Sequence, residues 1–161
     1  MNDLSRKEIA DGLCRCLAET YVLYLKTQNF HWNVTGPMFH SLHEMFEEQY
    51  QDLALAADTI AERIRALGYF APATFEQFSA LSSINEESQV PPAEEMIQLL
   101  FEDNDQIVHM AQKVMEIAER SHDGPTVDLL NQRMLQHQKN AWMLRSHLEA
   151  PGPAARLDKT A

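Results

Sequence analysis

Hydrophobic residues recur at intervals of three and four positions along four long stretches of the chain, and the glycines and prolines fall almost entirely between those stretches. The stretches cover approximately residues 4–35, 38–67, 93–122 and 126–149. In the second stretch, large apolar residues also repeat every seven positions, at Phe39, Phe46, Leu53, Ile60 and Leu67. This spacing is typical of amphipathic α-helices, and the stretches are rich in helix-favouring residues. The pattern therefore predicts four long helices that each bury one apolar stripe.

The connections between these helices predict how they are arranged. Gly36-Pro37 and Gly124-Pro125 mark tight turns, so we expect the first and second helices, and likewise the third and fourth, to form antiparallel hairpins. The connection over residues 68–92 is long enough to run the length of a bundle. One long crossover between two helical hairpins is the ferritin-like arrangement.

A short helix is predicted inside the crossover. Thr74 and Gln77 have the spacing of a capping box, which marks the start of a helix over residues 74–81. We therefore expect an all-α fold, a ferritin-like four-helix bundle whose long crossover contains a short helix. It forms one domain over residues 1–161, with a tail over residues 150–161.

Composition and charge narrow the classes of function. The chain has 161 residues, of which 45% are hydrophobic, and this excludes a largely disordered protein. Its 24 acidic and 13 basic residues give a net charge of −11, which disfavours nucleic acid and anionic membranes as partners and favours cations. No apolar run approaches the roughly 20 residues of a membrane span, and the N-terminus has no secretory signal, so the cytoplasm is the expected location. Cys14 and Cys16 point in different directions on one helix, so we interpret them as small helix residues, with a redox role as the weaker alternative.

The candidate chemistry lies on the second helix. His43 and Glu47 are four residues apart, as are Asp58 and Glu62, and the two pairs share a helical face away from the apolar stripe. Taken one at a time, each of these residues would usually be a surface or capping residue. A shared face that is rich in metal-ligand types and contains no lysine favours a metal site instead.

Helix geometry places the two pairs too far apart for one metal ion. Their centres are about 15 residues, or roughly 22 Å, apart along the axis. A second copy of the helix, crossing antiparallel near its midpoint, would bring Asp58 and Glu62 of one chain to His43 and Glu47 of the other. His31 precedes the first hairpin turn by about as many residues as His43 follows it, so the two histidines should lie side by side. Such a set of imidazoles and carboxylates suits iron or another first-row divalent ion.

These ligands and their neighbours resemble the ferroxidase signature of the Dps family, the DNA-binding proteins from starved cells, also called mini-ferritins. The matching motifs are His31-x11-His43-x3-Glu47-x10-Asp58-x3-Glu62 and the segments NFHWNVTGPMF, EEQY, IAERIRALG and AWMLRSHLE. The resemblance covers essentially residues 4–149. It implies a hollow shell of twelve subunits that oxidises Fe(II), with hydrogen peroxide preferred over O2, stores ferric mineral and protects against oxidative stress. It also implies iron without haem, ligands shared across a two-fold axis, and an aromatic residue, Trp32, beside the site.

The resemblance further implies iron-entry pores lined by acids near the turn between the last two long helices, where Asp123 and Asp128 lie. The alternative for these two residues is a helix cap at Asp123 and a solvated Asp128. Glu47 stands where the family most often has aspartate. His40, three residues before His43, is either an additional ligand or a surface residue.

Two observations weigh against a metal site inside the bundle and against a DNA-condensing function. The chain contains one Glu-x-x-His motif, Glu119 to His122, whereas a ferritin site inside the bundle uses two. The family name suggests an alternative function, a nucleoid protein that binds and condenses DNA. Because the chain is acidic and has no lysine-rich arm, we expect weak or absent DNA binding.

Overall fold

The computed structural model describes residues 2–149, which form five helices and no strand. The helices are α1 (Asp3–Asn33), α2 (Phe39–Ala66), α3 (Phe75–Leu81), α4 (Ala93–Arg120) and α5 (Gly124–Leu148). The four long helices form a bundle and α3 lies in the crossover, so the predicted fold class is confirmed. Every helix end falls within two residues of its predicted position. The predicted tail lies outside the described residues.

Local signals in the sequence explain where the helices begin. The side chain of Asn2 accepts a hydrogen bond from the backbone N–H of Ser5 and caps α1. Thr74 caps α3 in the same way by accepting from the N–H of Gln77. The reciprocal bond differs slightly from a capping box, because the Gln77 side chain accepts from the N–H of Ala73 and not from that of Thr74.

The helices pack as two hairpins joined face to face. α1 packs along α2, α4 packs along α5, and α1 also contacts α4 and α3. α2 and α5 touch along less of their length. Two ion pairs bridge them, from Arg133 to Asp52 at 2.7 Å and from Arg63 to Asp123 at 2.6 Å. Ion pairs therefore link α2 to α5 at two places along their seam.

One member of the predicted apolar series on α2 lies outside the core. Phe46, Leu53, Ile60 and Leu67 are buried, but Phe39 is 44% exposed and its ring stacks on His43. Phe39 is the first residue of α2, and its ring packs on His43 instead of entering the core.

Several buried polar groups also join the elements of the bundle. The Lys26 ammonium meets the Asp103 carboxylate at 2.6 Å and links α1 to α4. Burial raises the pKa of Asp103, and the hydrogen bond from Lys26 offsets only part of that effect. The His137 ring on α5 donates from Nδ1 to the side-chain oxygen of Asn104 on α4 at 2.8 Å. Among the described residues, no helix is long and apolar enough to cross a membrane.

Candidate metal centre

Two histidine rings stack at the end of the first hairpin where the turn joins α1 to α2. His31 lies in the last turn of α1 and His43 in the second turn of α2. The short connection between the helices brings the ring centroids to 3.8 Å, with the planes 15° apart. The side-by-side placement that the turn predicted is therefore present.

Reciprocal hydrogen bonds fix the orientation of both rings. Nδ1 of His31 lies 2.8 Å from the backbone carbonyl of His43, and Nδ1 of His43 lies 2.8 Å from the carbonyl of His31. A carbonyl oxygen only accepts, so each Nδ1 must carry the proton and donate it. Each Nε2 then keeps a free lone pair, which is the form of imidazole that binds a metal ion.

Glu47 completes the group. It follows His43 by one helical turn, and one ligand atom from each of His31, His43 and Glu47 lies within 4.8 Å of the others. Gln51, a further turn along, donates to the Glu47 carboxylate at 3.2 Å and orients it. Two imidazoles and one carboxylate with open coordination positions form a donor set that suits Fe(II), so the residues present fit iron.

Asp58 and Glu62 lie apart from this group. Both side chains are exposed on the later part of α2, and neither forms a hydrogen bond or ion pair within residues 2–149. One chain therefore gathers His31, His43 and Glu47 but not the other two predicted ligands. Between the two sets, Leu55 is 73% exposed on the same helix, so one large apolar side chain is uncovered in the single chain.

Comparison with known proteins identifies the family to which the chain belongs. A model of the ferritin-like domain matches residues 10–151. DNA protection during starvation protein 2 of Bacillus anthracis is 41% identical over 142 residues, which cover 88% of this chain and 97% of that protein. DNA protection during starvation protein of Brevibacillus brevis is 36% identical over 88% of this chain and 95% of its own length. The chain belongs to the ferritin-like Dps family.

Solved Dps structures have the same fold. The Dps protein from Bacillus brevis has a TM-score of 0.89 and 35% identity, covering 92% of this chain and 100% of that one. A Dps protein from Vibrio cholerae O1, described as a member of a broad superfamily of ferritin-like diiron-carboxylate proteins, has a TM-score of 0.89 and 29% identity, covering 92% and 94%. The resemblance inferred from the sequence motifs is confirmed, and membership of this superfamily implies iron binding.

Phe39 and Tyr50 contact the Dps signature histidines, whereas Trp32 follows His31 in the sequence and faces a separate groove. Trp32 is 63% exposed and lines a groove of about 380 Å³ between α1 and the crossover. Tyr50, which we did not predict, contacts His31 edge-on with ring centroids 5.2 Å apart. Tyr24 lies next to Tyr50 at 6.0 Å. The signal for Tyr50 was its position seven residues after His43, on the same side of α2.

The remaining candidates are placed as follows. His40 is an exposed residue paired with Glu44 at 3.4 Å, and it lies outside the His31–His43–Glu47 group. Cys14 and Cys16 are free, and the Cys16 thiol donates to the Met110 sulfur at 3.2 Å. Burial raises the pKa of Cys16 to about 12, so this thiol is unreactive.

Asp123 and Asp128 have different surroundings, although both are predicted pore acids. Asp123 is buried, caps α5 through Thr126, and pairs with Arg63 at 2.6 Å. Burial alone would raise the pKa of Asp123, but the hydrogen bonds from Arg63 and Thr126 outweigh it and lower the pKa. Asp128 is exposed, and within residues 2–149 it accepts a hydrogen bond only from Gln132. The capping alternative therefore describes the contacts of Asp123 in the single chain.

Proposed function

We propose that this protein is an iron-storing ferroxidase. It oxidises Fe(II), preferentially with hydrogen peroxide, and stores the ferric product inside a shell of twelve subunits in the cytoplasm, so protecting the cell against oxidative stress. The observation that carries the proposal is the preorganised group of His31, His43 and Glu47, in which both Nε2 atoms are free to bind metal. Iron is the substrate, and no haem is needed.

The complete site is shared between two subunits across a two-fold axis. About 22 Å of helix separates the His43–Glu47 pair from the Asp58–Glu62 pair, so one chain cannot close the site alone. A two-fold crossing of two α2 helices supplies Asp58 and Glu62 from the mate at both sites. The exposed Leu55 between the pairs supports this contact, because a second copy would cover it.

Each ligand has a distinct part in the reaction. His31 with the mate's Asp58 and Glu62 holds the tighter Fe(II), while His43 and Glu47 hold the second. Carboxylates stabilise Fe(III) more than Fe(II), and this favours loss of an electron. The balanced reaction takes two Fe(II), one hydrogen peroxide and two protons to two Fe(III) and two waters. Because peroxide accepts both electrons in one event, hydroxyl radical is not released, and Trp32 intercepts any one-electron oxidant that forms.

Iron reaches the interior through acidic pores. Asp128 is the better candidate for a pore residue, since it is exposed and unpaired with any cation within residues 2–149. The Asp123 carboxylate adds negative charge nearby, but its pairing with Arg63 partly neutralises it. The charge of −11 on each chain attracts Fe(II) to the assembly.

Anaerobic titration with Fe(II), followed by addition of peroxide, tests the proposal. We expect saturable binding of Fe(II) and fast oxidation, both lost in His31→Ala with His43→Ala. His109→Ala is the matched control, because His109 is an exposed histidine on α4. Equal oxidation rates in the double variant and the control would contradict the proposed site.

A further inference from the structure

Three tyrosines form a continuous series of ring contacts that begins at His31. The Tyr50 ring lies 5.2 Å from the His31 ring, measured between centroids. Tyr24 follows at 6.0 Å from Tyr50, and Tyr21 at 5.7 Å from Tyr24. Each of these contacts has the edge-to-face geometry of a close aromatic pair. Tyr21 also stacks on Phe78 at 4.6 Å, and the series of phenols ends there because phenylalanine has no hydroxyl.

The far end of the series lies at the second set of predicted ligands in the same chain. Tyr21 and Asp58 line one groove of about 310 Å³ between α1, α2 and the crossover. Under the shared-site proposal, Asp58 serves the histidines of the mate and not those of its own chain. The tyrosines therefore connect the His31 half-site with the Asp58 half-site, which helix geometry keeps apart within one chain.

Tyrosine is a side chain that suits electron transfer along such a series. A phenol is oxidised by losing one electron and one proton, and the phenoxyl radical that remains can recover both from a neighbouring phenol. Electron transfer weakens steeply with distance, so ring contacts favour each step. All three tyrosines are half-buried, which shields a radical while leaving the protons a route to water. Trp32 faces a separate groove and does not extend the series.

We propose that Tyr50, Tyr24 and Tyr21 carry electrons between the two ferroxidase sites of a dimer. Because each site is shared, the His31 end of one chain lies at one site and the Asp58 end of that chain lies at the other. Two Fe(II) bound one at each site then reduce a single peroxide together. The proposal rests on the ferroxidase function proposed above, and it extends that function to sites that hold only the tighter iron.

The steps balance in atoms and electrons. The first Fe(II) reduces hydrogen peroxide with one proton and gives Fe(III), water and a hydroxyl radical at the site. This radical takes an electron and a proton from Tyr50 and becomes water. The phenoxyl radical then passes to Tyr24 and to Tyr21, as each phenol gives an electron and a proton to its neighbour. At the second site, Fe(II) and a proton restore Tyr21, so two Fe(II), one peroxide and two protons give two Fe(III) and two waters.

The stoichiometry of oxidation tests this path. Shells are loaded anaerobically with one Fe(II) per site and then receive one peroxide for every two Fe(II). The wild type should oxidise two Fe(II) per peroxide. Tyr24→Phe keeps the ring but removes the oxidisable phenol, so the ratio should fall toward one, and a spin trap should collect hydroxyl radical. Tyr69→Phe is the matched control and should behave as the wild type, because Tyr69 is also half-buried and lies outside the series.

A radical signal gives a second readout. With one Fe(II) for every two sites, most loaded dimers have no iron at the far end of the path, so the radical is not reduced. Rapid-freeze electron paramagnetic resonance should then detect a tyrosyl radical in the wild type, and its hyperfine splitting should change when ring-deuterated tyrosine is incorporated. Tyr50→Phe should abolish this signal, whereas Tyr69→Phe should retain it.

The possible failures are distinguishable. Absence of Fe(II) oxidation in the wild type, even with two irons per site, would contradict the ferroxidase function itself. Normal oxidation in the wild type, with a ratio of two maintained in Tyr24→Phe, would contradict the electron path alone. A radical signal that survives Tyr50→Phe and disappears in Trp32→Phe would place the one-electron chemistry at Trp32 and would overturn the assignment to the tyrosines.

Discussion

At the scale of single residues, burial gives His137 a strong influence on the pH dependence of folding. Burial, with a smaller contribution from the positive charge of Arg133, lowers the pKa of His137 from 6.5 to about 3. The folded state therefore keeps the ring neutral where the unfolded chain protonates it. This histidine contributes full stability above its unfolded pKa and loses it as the pH falls from 6.5 toward 3.

The first prediction concerns this loss of folding stability at low pH. His137→Gln, which retains an amide donor toward Asn104, should remove about 2 kcal/mol of the decrease in unfolding free energy between about pH 7 and pH 5. Urea unfolding at the two pH values measures the difference. His109→Gln, at an exposed site, is the control and should leave the decrease unchanged. An identical pH dependence in both variants would mean that His137 is not the group responsible.

Substitutions of Asp123 and Asp128 should affect different properties, the first the stability of the fold and the second the rate of iron entry. Asp123→Ala removes the cap of α5 and the carboxylate that pairs with Arg63, so it should lower the unfolding free energy by about 2–3 kcal/mol. Asp128→Ala should change stability by no more than about 0.5 kcal/mol, because the residue is exposed. If Asp128 lines an entry pore, its variant should slow iron uptake while oxidation at preloaded sites is unaffected. Unchanged uptake kinetics would remove Asp128 from the pore.

At the scale of elements, one buried carboxylate attaches the crossover to the bundle. Glu19 on α1 is 2% exposed and accepts hydrogen bonds from the backbone N–H groups of Ser83 and Ile84. It also accepts from the hydroxyls of Ser82 and Ser83. The segment after α3 forms no regular secondary structure, so its backbone N–H groups need other acceptors. The Glu19 carboxylate provides them.

Glu19→Ala should therefore loosen the crossover while leaving the hairpins intact. We expect amide hydrogen exchange at Ser83 and Ile84 to accelerate by at least about tenfold, since hydrogen bonds to charged groups are worth about 1.5–3 kcal/mol. Exchange in the centre of α5 should not change. Glu8→Ala, at an exposed position on the same helix, provides the comparison. Unchanged protection of the two amides would show that other contacts hold the segment.

The elements and half of the site followed from local sequence rules, whereas contacts between distant residues did not. The three- and four-residue spacing and the turn at Gly36-Pro37 were sufficient to place His31 beside His43. The partner of Asp123 could not be inferred, because Arg63 is 60 residues away and its direction depends on the packing of α2 against α5. The acceptors of the two Nδ1 protons are backbone carbonyls, which no sequence motif reports.

At the scale of the whole molecule, a shared site can be tested by mixing variants. His31→Ala with His43→Ala in one chain, and Asp58→Ala with Glu62→Ala in another, should each abolish oxidation in pure shells. In a mixed dimer, one site loses both sets of ligands, while the other receives intact histidines and intact carboxylates. Shells assembled from both chains should therefore recover up to half of the sites in each mixed dimer.

The controls for this experiment show whether recovered activity requires co-assembly of the two variants. The two variant shells, purified separately and combined without reassembly, should stay inactive. Co-assembly verified by mass, with no recovery of Fe(II) oxidation, would contradict a site shared between subunits.

The charge of the whole molecule predicts weak DNA binding. Each chain carries −11, and affinity for DNA rests largely on neutralising phosphates. We expect no retardation of plasmid by iron-free protein in a gel shift at neutral pH and about 0.15 M salt. Retardation under those conditions would favour the DNA-condensing alternative over protection through iron chemistry alone.

The distance between the two sets of ligands on α2 has a further consequence for when chemistry can begin. Under the shared-site proposal, a newly made subunit carries two incomplete halves, and neither can finish the reaction while the chain is alone. Oxidation then starts only after two subunits have associated, when the shell that holds the insoluble product is already assembling. A free subunit would not precipitate ferric oxide in solution. Oxidation would therefore be restricted to assemblies that can store the product.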